Sequence, residues 1–201
     1  MTDDVNARHH AEKKALKAER DVMMSRKRDG AGLLIVNTGD GKGKTTAAFG
    51  MAARALGWEQ RVGIVQFIKG KWITGERRFF ARFPDQVVYK VMGEGFTWET
   101  QDRARDITAA QAAWSASLEM IADPSLNLVI LDELNIALRY DHLDIGEVTA
   151  ALKARRPDLH VVVTGRNAKA ELIEAADLVT EMTLVKHHFA AGVKAQEGIE
   201  F

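Results

Sequence analysis

The sequence predicts an α/β fold in three layers, with a mostly parallel central sheet between two layers of helices. Three observations carry this reading. From Gly32 onward, apolar segments of strand length alternate with segments of helical periodicity. Two of them, Leu128-Val129-Ile130-Leu131 and Val161-Val162-Val163, are apolar on both faces, which suits strands covered by helices on each side. Between Gly32 and Gly57, an apolar run (Leu33 to Val36) breaks into Thr38-Gly39-Asp40-Gly41-Lys42-Gly43-Lys44-Thr45-Thr46. An Ala-rich helical segment follows, and Gly57 stops it.

Taken in order, residues 1–29 form a charged N-terminal helical arm and residues 30–201 one nucleotide-binding domain. The arm lacks aromatics, glycine and proline, and Ala7, Ala11, Ala15, Ala18 and Val22 recur on one narrow stripe. So narrow a stripe stabilises no helix alone. The arm is therefore either a frayed, solvated extension or a helix that docks over the site, or onto a partner subunit, when ligand arrives. Strands follow at Leu33–Asn37, Arg61–Ile68, Val87–Val91, Leu126–Asp132, Leu159–Thr164 and Leu178–Leu184. Helices fill Thr45–Leu56, Gly75–Phe83, Gln101–Ala122, Ile145–Ala154 and Ala168–Ala175. Ligands of parallel sheets sit at the carboxyl ends of the strands, so residues just after each strand have priority.

Strand, glycine loop ending in Gly-Lys-Thr, then helix is the context of a phosphate-binding loop, which makes the fold a RecA-like P-loop NTPase fold. Alternating glycines let backbone N–H groups turn inward around a phosphate, and the helix N-terminus aims its partial positive charge there. Gly39, Asp40, Gly41, Lys42, Gly43, Lys44, Thr45 and Thr46 are the ATP-binding candidates. Lys44 supplies a full charge, and the Thr45 hydroxyl suits Mg²⁺. Thr38 stands where the usual pattern opens with glycine, and Gly39 and Gly41 compensate.

Composition narrows the setting. The 46% apolar and 28% charged fractions are those of an ordinary soluble domain. Lys plus Arg equals Asp plus Glu at 28 each, which argues against bulk electrostatic binding of nucleic acid. There is no cysteine, hence no disulfide and no thiolate nucleophile. No apolar run reaches membrane-spanning length, no signal-peptide core is present, and Asp3, Asp4, Glu12, Glu19 and Asp21 argue against a mitochondrial presequence. A cytoplasmic location without membrane contact is the expectation.

Chemistry concentrates at strand ends. Leu128–Leu131 runs into Asp132-Glu133, a carboxylate pair of the kind that sits beside a phosphate loop and handles Mg²⁺ or an attacking group. Thr164-Gly165-Arg166 ends another strand and offers a fixed cation for the phosphates opposite Lys44, or a surface arginine after a turn. In Gly93-Glu94-Gly95-Phe96-Thr97-Trp98, two large aromatics follow a glycine turn. They are either core anchors or a flat apolar ligand face. Lys69 and Lys71 meet anionic groups or solvent, and the adjacent His187 and His188 read as surface or tail residues. On these residues alone two classes compete. One is a RecA-like ATP hydrolase or motor acting on nucleic acid or a protein partner; the other is a small-molecule transferase.

Several stretches, in order, closely resemble the P-loop-type ATP:corrinoid adenosyltransferases. They are Thr38–Thr46, Gln66-Phe67-Ile68-Lys69-Gly70, Met92-Gly93-Glu94-Gly95-Phe96-Thr97-Trp98-Glu99-Thr100-Gln101, Leu131–Leu134, Thr164–Arg166 and the tail Gly192–Ile199. The resemblance implies transfer of the 5′-deoxyadenosyl group of ATP to Co(I) of a reduced corrinoid, releasing triphosphate, in adenosylcobalamin biosynthesis or salvage. It implies catalytic roles for Lys44, Arg166, Phe96 and Trp98, the two aromatics packing under the corrin and excluding its lower axial ligand so that Co(II) is more easily reduced. It implies Mg²⁺, or Mn²⁺ in its place, on Thr45 and Glu133. It also implies a cobalamin, cobinamide or cobyrinic acid a,c-diamide substrate, a flavin-type reductant protein as partner, and a homodimer.

Overall fold

The computed structural model describes residues 2–27, 30–68, 73–92 and 102–200. It divides into two compact units, Met1–Ala31 and Gly32–Phe201. The first is a single helix, α1 (Thr2–Ser25), whose last turn is tied by Ser25 Oγ donating to the Val22 carbonyl at 2.8 Å. Leu16, Val22, Met23 and Met24 are exposed on it.

The second unit runs β1 (Leu34–Thr38), α2 (Lys44–Leu56), β2 (Val62–Gln66), α3 (Gly75–Phe80), β3 (Val87–Val91), α4 (Arg103–Ala122) and β4 (Leu128–Asp132). It continues through α5 (Leu134–Arg139), α6 (Ile145–Lys153), β5 (His160–Thr164), α7 (Ala170–Ala175), β6 (Leu178–Glu181) and a 3₁₀ turn at His188–Ala191. The six strands form one sheet in the order β3-β2-β4-β5-β1-β6, and every pairing is parallel. Strand β5 therefore separates the strand that feeds the glycine loop from the strand that ends in the acidic pair.

Period-two alternation sorts the strand residues into two cores. Leu34, Val36, Val65, Val129, Leu131, Val161 and Val163 face one side, packed by α4, α5, α6 and α7 through Met120, Leu134, Leu138, Leu152 and Leu172. Ile35, Val62, Ile64, Leu128, Ile130 and Val162 face the other, covered by Ala48, Phe49, Ala52 and Leu56 of α2 and by Phe80 of α3. The doubly apolar strands thus lie in the middle of three layers, as their sequence indicates.

Element ends differ from the sequence expectation for local reasons. Strand β6 stops at Glu181, not Leu184, because Met182 leaves the ladder to meet the glycine loop: its N–H donates to Thr38 O and its carbonyl accepts from Gly41. Helix α3 ends at Phe80 and not Phe83. Helix α4 begins at Arg103, where Asp102 caps by accepting from the Arg105 N–H at 3.2 Å. Helix α5 has no counterpart in the sequence reading, since its N-cap, Glu133, is left-handed and gives no side-chain cap as a start signal.

The amino ends of the strands are gathered by one side chain. Arg155 donates to the carbonyls of Leu152 (2.8 Å), Leu159 (3.2 Å) and Gly32 (2.9 Å), and to Asp177 Oδ2 (3.0 Å). That same Asp177 oxygen accepts from the Leu34 N–H. The Arg155 side chain is 11% exposed, so its bonds to the main-chain carbonyls are weakly screened. Replacing Arg155 by Met should lower unfolding free energy by about 3 kcal/mol in urea titrations. It should leave the KM for nucleotide unchanged, because it acts at the end of the sheet opposite the glycine loop.

Candidate active site

The glycine loop leaves β1 and enters α2 through two left-handed residues, Gly39 (φ 92°) and Gly43 (φ 111°). Space also demands glycine here. A Cβ on Gly39 would lie 2.5 Å from Met182 O, and one on Gly41 would lie 2.6 Å from Thr183 O. The loop thus rests on the main chain just past β6, tied by the Gly41 N–H to Met182 O bond at 2.6 Å. Thr38, in the place of the usual first glycine, anchors the neighbouring turn by accepting the Ala168 N–H on its hydroxyl at 3.1 Å. The N-cap of helix α2 is Gly43, so no side chain caps its first amides, which remain available to an anion.

Lys44 is 7% exposed and curls back over the loop, donating to the carbonyls of Gly39 at 2.7 Å and Gly41 at 2.6 Å. Burial pushes its pKa down; Glu133 and Asp40 pull it up, and Arg166 and Lys42 add to the depression. Its own carbonyl accepts from Asn37 Nδ2 of β1.

The residue after Lys44, Thr45, meets Asp132, the last residue of β4 and 3% exposed. Three elements donate to its carboxylate. Thr45 Oγ1 reaches Oδ1 at 2.8 Å, Thr164 Oγ1 reaches the same oxygen at 2.7 Å, and Gln66 Nε2 reaches Oδ2 at 2.9 Å. Burial raises the Asp132 pKa, and these three bonds oppose the rise. Next to it, Glu133 adopts a left-handed backbone (φ 62°) and donates its N–H to Thr164 Oγ1 at 2.9 Å. A Cβ on Gly165 (φ 124°) would come within 3.0 Å of Glu133 Oε2 and 2.8 Å of Asn135 Cβ, so the carboxylate lies flat against that glycine. Asn135 Nδ2 donates to the Gly165 carbonyl at 2.8 Å. Burial, reinforced by the Asp132 charge, pushes the Glu133 carboxyl up to about 7 against the pull of Lys44 and Arg166.

A further cluster sits on the loop's outer side. Lys42 bonds Glu200, and His188 Nε2 lies 3.5 Å from the other oxygen of that carboxylate. Gly41, Lys42 and residues 183–188 enclose a cavity of about 350 Å³. His187 and His188 stack with centroids 4.7 Å apart and line this cavity, partly exposed, in the tail where the sequence reading puts them. Burial lowers the His187 pKa, and His188, Lys42 and Arg166 lower it further.

The fold thus gathers Gly39, Asp40, Gly41, Lys42, Gly43, Lys44, Thr45, Glu133 and Arg166 at the carboxyl ends of β1, β4 and β5. Arg166 is exposed there, and its charge is felt by Lys42, Lys44, Glu133 and His187. Thr46, the next residue of α2, lines a groove between α2 and α3 with Phe49, Gly50, Ala53 and Phe79. Phe96 and Trp98, and Lys69 and Lys71, lie outside the described residues. Residue-by-residue reading assigned no role to Gln66, Thr164, Asn135 or Glu200. Three of these are polar residues at or just beyond the ends of buried strands, and that position is the signal that finds them.

A divalent cation fits this donor set. Thr45 spends its one proton on Asp132, which leaves its oxygen lone pairs free, and Glu133 supplies a carboxylate nearby. Mg²⁺ needs only one or two such protein ligands, the rest coming from phosphate and water.

The family model described as ATP:corrinoid adenosyltransferase BtuR/CobO/CobP matches residues 30–201. The chain is 57% identical over 194 residues to the corrinoid adenosyltransferase of Pseudomonas aeruginosa, covering 96% of both chains. It is 53% identical over 198 residues to that of Sinorhizobium sp, covering 98% of this chain and 92% of the relative. To corrinoid adenosyltransferase CobA of Salmonella typhimurium it is 46% identical over 194 residues, covering 96% of this chain and 98% of the relative.

Glu133 carries a cost measurable without substrate. Its carboxyl loses its proton near 4.5 in the unfolded chain and near 7 in the fold. Between those values the folded form binds more protons, so stability falls as pH rises. Glu133→Gln should therefore unfold at a higher temperature than the parent at pH 8, with the gap shrinking toward pH 5, when both are followed by calorimetry.

Proposed function

The chain belongs to the ATP:corrinoid adenosyltransferase family, and on that premise we propose that this site delivers the 5′ carbon of ATP to Co(I) of a reduced corrinoid. Cobalt donates its electron pair to form the Co–C5′ bond. The C5′–O bond breaks, and its electron pair leaves with the intact triphosphate. No protein nucleophile or general base is needed. The protein positions the two substrates and stabilises the negative charge that develops on the leaving group.

The observation that supports this best is the pairing of an open glycine loop with a helix whose first hydroxyl, Thr45, is tethered to Asp132. The loop amides, Lys44 and Arg166 take the triphosphate, with Lys44 exchanging its contacts to the Gly39 and Gly41 carbonyls for phosphate oxygens. Thr45 and Glu133 would hold Mg²⁺, or Mn²⁺ in its place, which when bound would neutralise phosphate charge. Phe96 and Trp98 are assigned to the lower face of the corrin. There they exclude the axial ligand and ease reduction of Co(II) by a flavin-type reductant protein. The arm at residues 1–29 is assigned to covering the bound substrates within a homodimer. No helix among the described residues is long and apolar enough to cross a membrane. The proposed substrates are cobalamin, cobinamide or cobyrinic acid a,c-diamide, and the proposed location is the cytoplasm.

Product analysis tests the reaction. With ATP and chemically reduced corrinoid, the products should be inorganic triphosphate and an adenosylated corrin; ADP and orthophosphate would instead support the RecA-like hydrolase reading. Lys44→Ala should lower turnover at least about 100-fold by the same assay, the scale of losing one preorganised charge donor.

The aromatic pair is tested separately. Changing Phe96 and Trp98 together to Ala should cripple turnover starting from Co(II) and largely spare turnover starting from Co(I). Equal losses in the two assays would remove the pair from the reduction step.

A further inference from the structure

Thr164 is the last residue of β5, the strand interposed between β1 and β4, and it is fully buried. Its hydroxyl does two things at once. It donates to Asp132 Oδ1 at 2.7 Å, the oxygen that also accepts from Thr45, and it accepts the Glu133 N–H at 2.9 Å. One side chain is therefore bonded both to the anchor of Thr45 and to the backbone of Glu133. The second bond matters because a left-handed glutamate costs about 1 kcal/mol of backbone strain unless its surroundings hold it. The next residue extends the clasp: Gly165 leaves room for the Glu133 carboxylate, and its carbonyl is pinned by Asn135.

We propose that Thr164 is a positioning residue for metal-nucleotide binding, its hydroxyl fixing both Asp132, the anchor of Thr45, and the backbone of Glu133, the two residues that would hold the metal of Mg·ATP being Thr45 and Glu133. This deepens the reading of the chain as a Mg·ATP-dependent adenosyltransferase and rests on it. Valine keeps the shape of threonine but offers neither bond. It would leave the Glu133 N–H unpaired and remove one of the three donors to Asp132. Serine keeps both bonds and loses only a methyl group.

The test uses the full chain and Mn²⁺ with ATP, following free Mn²⁺ by electron paramagnetic resonance. Thr164→Val should weaken Mn²⁺ binding in the ternary complex about tenfold or more, the usual scale for removing a group that orients a metal ligand. Thr164→Ser should stay within about threefold of the parent. Binding of ATP in EDTA should change far less than binding of Mn·ATP, and the KM for Mg·ATP should rise more than kcat falls. Equal Mn·ATP affinity for the valine variant and the parent overturns the proposal, as does a serine variant as weak as the valine one. Should Thr164→Val prove insoluble, Thr164→Ser against Thr164→Ala isolates the hydroxyl oxygen, and equal metal affinities there overturn it too. A parent enzyme releasing ADP and orthophosphate removes the adenosyl-transfer reading but leaves the metal comparison standing, so the two failures are distinguishable.

Discussion

Everything at the carboxyl edge of the sheet depends on one buried carboxylate and its three donors. Asp132 sits in the dry middle of the sheet end, where an unpaired charge would be prohibitive. Gln66, Thr164 and Thr45 arrive from β2, β5 and α2 and make that charge tolerable. Each donor is thereby fixed in turn, so the register of four elements converges on one pair of oxygens. The Thr45 bond joins the helix that opens the phosphate loop to the strand that carries the acids. A loop that rests on main-chain carbonyls on one side, and is held by Asp132 on the other, has little freedom left to lose when a nucleotide arrives.

Glu133 shows the opposite economy. Its backbone is left-handed, its carboxylate is pressed against a glycine, and its charge is opposed by burial and by Asp132. None of these features helps folding. Their convergence on a residue that faces Lys44 and Arg166 is what a functional site looks like energetically: strain and uncompensated charge kept in place by a neighbourhood that satisfies everything else.

Much of this was legible beforehand, for reasons that differ by residue. The glycine loop announces itself because close backbone approach and left-handed φ values at Gly39 and Gly43 exclude other residues. The doubly apolar strands are visible because burial on two faces leaves no polar position. Thr164 and Gln66 stayed silent residue by residue, because threonine and glutamine are ordinary strand and loop residues and only the strand order brings them to Asp132. Glu200 was equally hidden, since 158 positions separate it from Lys42. Helix α5 escaped because its left-handed N-cap, Glu133, provides no side-chain cap to announce a start.

Strand β6 is exposed along all four residues and, among the described residues, joins the sheet only through β1. Its exit residue, Met182, is also the support of the glycine loop. The least protected strand and the most demanding turn therefore share a joint. Local melting starts at such margins, well below the temperature at which the two cores yield. Warming should accordingly loosen the grip on nucleotide first, so heat inactivation precedes loss of the sheet and is reversed on cooling.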